Sequence, residues 1–138
     1  MNLLDIENIE EKFFSIVKTK EFQDLQTAYN DADHVFFFGH GGNLGVADHA
    51  AIDSSRITDK NVIAPGSGIL ATSIIGDTNF NDWLQNWLEM RTRGLDTSKC
   101  MVLGMSCSSS GASSNSIGTA LSWASDNGIP SFMFTATE

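Results

Sequence analysis

The sequence predicts an α/β domain built on a doubly wound, mostly parallel sheet with an N-terminal helical segment. Three observations predict it. Short unbroken apolar runs, rich in aromatic and β-branched residues, recur along the chain as buried parallel strands do. They alternate with stretches whose apolar residues return every three or four positions. Glycine- or serine-rich turns follow two of the strand runs, where open α/β sheets place their ligands.

Taken in order, Ile6, Ile9, Phe13 and Val17 share one helical face, and Phe22, Leu25 and Tyr29 continue it after a polar break at Thr19-Lys20. Residues 3–29 therefore form one long helix or two in series. His34-Val-Phe-Phe-Phe38 is the first strand, and Gly39-His-Gly-Gly-Asn43 turns the chain into a helix over 44–56. Asn61-Val-Ile-Ala64 is the second strand, stopped by Pro65-Gly66. A short helix over 69–75 and another over 81–93 follow, the latter ended by Gly94. Cys100-Met-Val-Leu-Gly104 is the third strand. A Ser/Gly loop runs from it to Ser113, a helix spans 114–126, and Ser131-Phe-Met-Phe134 is the fourth strand. With 138 residues, one domain is expected: a helical segment over 1–30 and an α/β core over 34–138.

Composition excludes some partners. Eight basic against 17 acidic side chains give a net charge of −9, which disfavours nucleic-acid backbones. A small phosphate remains compatible, because amides and hydroxyls can hold it. No apolar run reaches membrane-spanning length and the N-terminus lacks a basic, then apolar, leader, so the expectation is a cytoplasmic chain without membrane contact. Cys100 and Cys107 have no metal-type or redox spacing, and Cys100 reads as a small core hydrophobe.

Three features could carry chemistry. Gly39-His40-Gly41-Gly42-Asn43 lets the backbone approach a ligand closely. It departs from a dinucleotide fingerprint, with Leu44 at the third glycine position and no acidic residue ending a second strand, so a nicotinamide site is rejected. The loop from Ser106 to Ser114 offers hydroxyls just before a helix N-terminus; it is either a phosphate site or a solvated turn with a serine N-cap. His49 and Asp53, at i and i+4, share one helix face. A general base, a pair of metal ligands and a plain surface hydrogen bond all fit them.

Read together, these pieces resemble the SIS (sugar isomerase) domain family, and the phosphoheptose isomerases in particular. Gly39-His-Gly-Gly-Asn43 stands where those proteins carry Gly-Asn-Gly-Gly-Ser, and His49 and Asp53 stand where they carry a His and a Glu. Ile74-Ile-Gly-Asp77 with Asn79-Phe80 is similar to their Ile-Gly-Asn-Asp and Gly-Phe. Gly104-Met-Ser-Cys-Ser108 with Gly111 and Ser113 is similar to their Gly-Ile-Ser-Thr-Ser-Gly-Asn-Ser phosphate loop. The resemblance covers 35–135 and implies a flavodoxin-like three-layer sandwich. It implies aldose–ketose isomerisation of a seven-carbon sugar phosphate through an enediol. Asp53 would be the base, assisted by His49, or the two would bind zinc as in metal-containing members. Ser106, Cys107, Ser108 and Ser113 would hold phosphate, Gly41, Gly42 and Asn43 would line the substrate loop, and Asp77 would face sugar hydroxyls.

Asp53 is one methylene shorter than the family's Glu, and Cys107 replaces a phosphate-binding Thr. The sequence stops at Glu138, ahead of the family's last strand and its helix bearing a second catalytic His and a Gln, so a truncated gene or a protein lacking that half is expected. The alternative to an enzyme is a non-catalytic SIS module, acting as a sugar-phosphate sensor or as a scaffold like the relatives that bind a replication initiator. The Ile6/Phe13/Val17 face predicts a homodimer or homotetramer, which light scattering at micromolar concentration checks; a monodisperse monomer would refute it.

Overall fold

In the computed structural model, residues 8–108 and 110–135 are described. The chain forms two compact units, 1–31 and 32–138. In the first, the apolar periodicity resolves into two helices in series, α1 (Ile9–Val17) and α2 (Lys20–Asp31), while Leu3 and Ile6 lie outside the described residues. The polar break is a cap: the Thr19 hydroxyl donates to the Ile16 carbonyl (2.7 Å) and accepts the Phe22 amide (3.2 Å), satisfying groups that both helix ends leave open. Neither helix has a fully buried residue, and Ile9, Phe13, Phe14 and Ile16 of α1 are exposed.

The second unit follows the expected alternation: β1 (His34–Gly39), α3 (Gly42–Ile57), β2 (Asn61–Ile63), α4 (Gly68–Asp77), α5 (Trp83–Thr92), β3 (Cys100–Ser106), α6 (Ala112–Asp126) and β4 (Ser131–Thr135). All four strands are parallel, in the order β2-β1-β3-β4. Three strands run longer than their apolar runs, β1 by Gly39, β3 by Met105 and Ser106, and β4 by Thr135. Met105 and Ser106 extend β3 because they pair with Gly39 and Thr135, which shortens the serine loop and puts Ser113 and Ser114 in the first turn of α6. The order has a consequence for the helices. Right-handed crossovers that move in opposite directions across a sheet fall on opposite faces. The β1-to-β2 crossover therefore places α3 on one face, and the crossovers through α4, α5 and α6 share the other.

That second face holds the main core. Phe36, Phe38, Cys100 and Val102, alternate residues of the central strands, pack with Trp83, Leu84, Trp87, Leu88, Ile117 and Ala120. Trp87 meets Phe36 and Phe38 edge-on at 5.9 and 6.4 Å. Cys100, a free thiol, is buried there as a hydrophobe, whereas Cys107 is exposed. On the other face α3 buries only Ala47 and Ala51, whose small side chains let it lie close to β1 and β2.

Gly104 sets the approach of α6 to β3. A Cβ there would stand 2.6 Å from Ile117 Cγ2 and 3.2 Å from the Phe38 ring. Gly104→Ala should therefore overpack the core and cost about 1–3 kcal/mol. Urea denaturation would show this as a lower midpoint at unchanged slope; an unshifted midpoint would mean that α6 retreats at no cost.

Candidate functional site

β1 and β3 are the central pair at which the strand order reverses, and doubly wound sheets form their ligand crevice at that switch point. Gly39 pairs with Met105, so the two strands end level and deliver their following loops to opposite sides of one cleft. It has a volume of about 440 Å³ and is lined by His40, Gly41 and Asn43 from one loop and by the serine loop and the first turn of α6 from the other. Gly41 (φ 54°) and Gly111 (φ 96°) occupy the left-handed region just before α3 and α6, which only glycine enters without strain.

Both helices thus begin at the cleft. The amides of Ala112, Ser113 and Ser114 precede the first backbone bond of α6, from Asn115 to the Gly111 carbonyl, and among the described residues they have no backbone acceptor at the positive end of the helix. The serine hydroxyls divide into two groups. Ser106 and Ser114, both 8% exposed, have their hydroxyl oxygens 3.0 Å apart and each 2.7 Å from the Ser108 carbonyl, and each has one hydrogen to donate, either to that carbonyl or to the other hydroxyl. The Ser108 hydroxyl donates to the Ser110 carbonyl at 2.8 Å. These three hydroxyls brace the loop. Among the described residues the Ser113 hydroxyl makes no such bond; Ser113 is exposed and lines the cleft. Across the cleft the Cys107 thiol reaches Asn43 Oδ1 at 3.5 Å. Among the described residues no Lys or Arg lines the cleft.

His40 is the residue that sequence reasoning passed over. Its Nε2 accepts the Trp83 indole N–H at 3.0 Å, and its ring packs on Phe80 with centroids 5.0 Å apart. Burial pushes its pKa below the usual value near 6.5. Only its place between two glycines could have drawn attention to it; its partners lie about forty residues on, Phe80 in the turn before α5 and Trp83 at the start of that helix.

The remaining expected residues lie elsewhere. Gly42 opens α3 in open space beside the cleft without lining it. His49 and Asp53 do come together, with Nε2 to Oδ2 at 3.2 Å, but on an exposed stretch of α3 outside the cleft. Asp53 is eleven residues into that helix, roughly 16 Å along its axis. Asp77 is exposed at the end of α4, also outside the cleft. Among the described residues no third His, Cys, Asp or Glu joins His49 and Asp53. Two donors are half of a tetrahedral zinc set, so these residues do not make up a zinc site by themselves.

No protein-family model matches the chain, and no curated protein matches it in sequence. Among solved structures it is similar to phosphoheptose isomerase GmhA from Neisseria gonorrhoeae, with a TM-score of 0.66 and 21% identity over 91% of this chain. The match spans 66% of that protein's length. At such identity the likeness establishes the fold, an SIS-like, flavodoxin-like α/β sandwich. Among the described residues no helix is long and apolar enough to cross a membrane.

The buried ring gives a pH prediction. His40 binds its proton less readily in the folded chain than in the unfolded one, so it contributes stability above pH 6.5 that is lost as pH falls toward its folded value. Denaturation midpoints should drop from pH 7.5 to pH 5 more in the wild type than in His40→Gln; equal drops would locate the acid sensitivity elsewhere.

Proposed function

We propose that the cleft binds the phosphate of a phosphorylated sugar and that the protein is a phosphosugar isomerase of the phosphoheptose type. The observation that carries this is the convergence of two helix N-termini and a serine-braced loop on one crevice at the switch point. The Ala112, Ser113 and Ser114 amides and the Ser113 hydroxyl hold the dianion, and Ser106, Ser108 and Ser114 keep the loop in shape. Cys107 gives a weaker donor where a hydroxyl would serve better. The SIS-like fold of a phosphoheptose isomerase supports the same substrate class.

In this reading Asp53 is the base that carries the proton between the two carbons of the enediol, and His49, 3.2 Å away, orients or recharges it. The ligand then lies along α3 from its phosphate end toward these side chains, so positioning by the phosphate grip sets the rate as much as the base does. No step of the reaction is assigned to a metal, because among the described residues only two such donors, His49 and Asp53, come together there. A second copy of the chain covers the exposed Ile9, Phe13, Phe14 and Ile16 of α1 in the working protein. The exposure of His49 and Asp53 favours one rival: a non-catalytic module that binds the sugar phosphate as a sensor or scaffold.

Isomerisation of sedoheptulose 7-phosphate, with its binding measured in parallel, separates the two. For an enzyme, Asp53→Asn should lose turnover by about a hundredfold or more while binding changes little, because the amide keeps shape but cannot take a carbon-bound proton. Asp53→Glu should keep or raise activity. Full activity in Asp53→Asn would refute the base. Binding without turnover in wild type and Asp53→Glu alike would identify the module.

A further inference from the structure

We propose that His40 is a positioning residue for the cleft: its uncharged ring, bonded to the Trp83 indole, latches the β1–α3 turn to α5 and holds Gly41 and Asn43 opposite the serine loop. This deepens the phosphate-site reading and rests on it. The His40 carbonyl accepts the Asn43 amide at 3.1 Å, so the ring and the first turn of α3 share one short rigid turn. Trp83 cannot follow a moving loop. It is 2% exposed and sits in the main core with Leu84 and Trp87. The loop is therefore tied to the main core, while its other face lines the cleft.

An indole N–H only donates, so the lone pair must be on His40 Nε2 and the hydrogen of the neutral ring on Nδ1. Among the described residues Nδ1 has no partner, which leaves the Trp83 bond as the ring's polar tether. Phe80 on its face and Trp83 edge-on at 5.6 Å complete the seat. A proton added to Nε2 would set N–H against N–H and charge a ring held between aromatic groups. Among the described residues no carboxylate offsets this. Asp82, next to Trp83, is exposed and bonded to Asn79 and Asn81. Asp48 of α3 lies against Gly66 instead. The groups that share the cleft wall with His40 on the β3–α6 side are serines and the Cys107 thiol. Protonation thus opens the latch and frees the turn from the cleft.

The test uses sulfate as the probe, because its charge is constant from pH 5 to 8, whereas a phosphate ester titrates near pH 6. Binding is read from the amide resonances of Gly41, Asn43, Ala112 and Ser113 in wild type, His40→Gln and Trp83→Phe. Wild-type affinity should fall about tenfold from pH 7.5 to 5. His40→Gln, whose amide oxygen accepts a hydrogen bond without titrating, should bind nearly as well at pH 7.5 and give a flat profile. Trp83→Phe, which keeps a core ring but loses the N–H, should bind weaker at pH 7.5 and also flatten the profile. A flat wild-type profile, or an equal fall in His40→Gln, would overturn the latch. If neither sulfate nor sugar phosphate binds the wild type, the phosphate reading fails. The latch is then decided in the free protein: the Trp83 indole, Gly41 and Asn43 signals must shift together at one midpoint, and separate midpoints would overturn it.

Discussion

The parallel pairing of β1 with β3, in a register that sets Gly39 beside Met105, places the two loops that line the cleft. Two chain segments about sixty residues apart end at the same height, each releases a loop through a left-handed glycine, and each loop opens a helix at the same crevice. The core below enforces this level ending. Phe36 and Phe38 on one strand and Cys100 and Val102 on the other are pinned by Trp83, Trp87 and Ile117, so neither strand can slip without turning its apolar set out of the core.

The cleft so formed is neutral in side-chain charge inside a protein of net charge −9. What it offers an anion is oriented backbone dipoles and hydroxyls, which need no counter-charge nearby. Such a site is sensitive to shape. Free amides at a helix start point usefully only if the loop before them is held, which is the work of Ser106, Ser108 and Ser114 on one side. On the other side the corresponding anchor is an aromatic seat for a histidine. The two sides are braced by different chemistry: a closed hydroxyl network that pH leaves unchanged, and a single ring whose bond requires it to be uncharged.

The His49–Asp53 pair obeys different rules. Helical spacing alone brings the two within 3.2 Å, without help from the rest of the fold, and solvent reaches both. Such a pair becomes chemically potent only in a drier setting, supplied by a ligand, a second copy or further chain. The cleft, by contrast, is assembled by tertiary contacts and already has its form.

The sequence by itself determined the local order of elements. Unbroken apolar strand runs, helices of period 3.6 and their glycine stops depend on neighbours in the chain, which is why the alternation, the serine loop and the i, i+4 pair were legible. Boundaries that depend on distant pairing were not. Met105 and Ser106 belong to a strand because Gly39 and Thr135 lie beside them, and nothing in Ser106-Cys107-Ser108 itself announces that. Likewise the serines looked alike in sequence, but the fold turned Ser106 and Ser114 inward and left Ser113 exposed. Only the tertiary structure separated the glycine and serine loops, which share a cleft, from His49, Asp53 and Asp77, which lie outside it. It also gave His40 its partner. A hydrogen bond across more than forty residues exists only once α5 has packed on the sheet, so no local pattern could have revealed it.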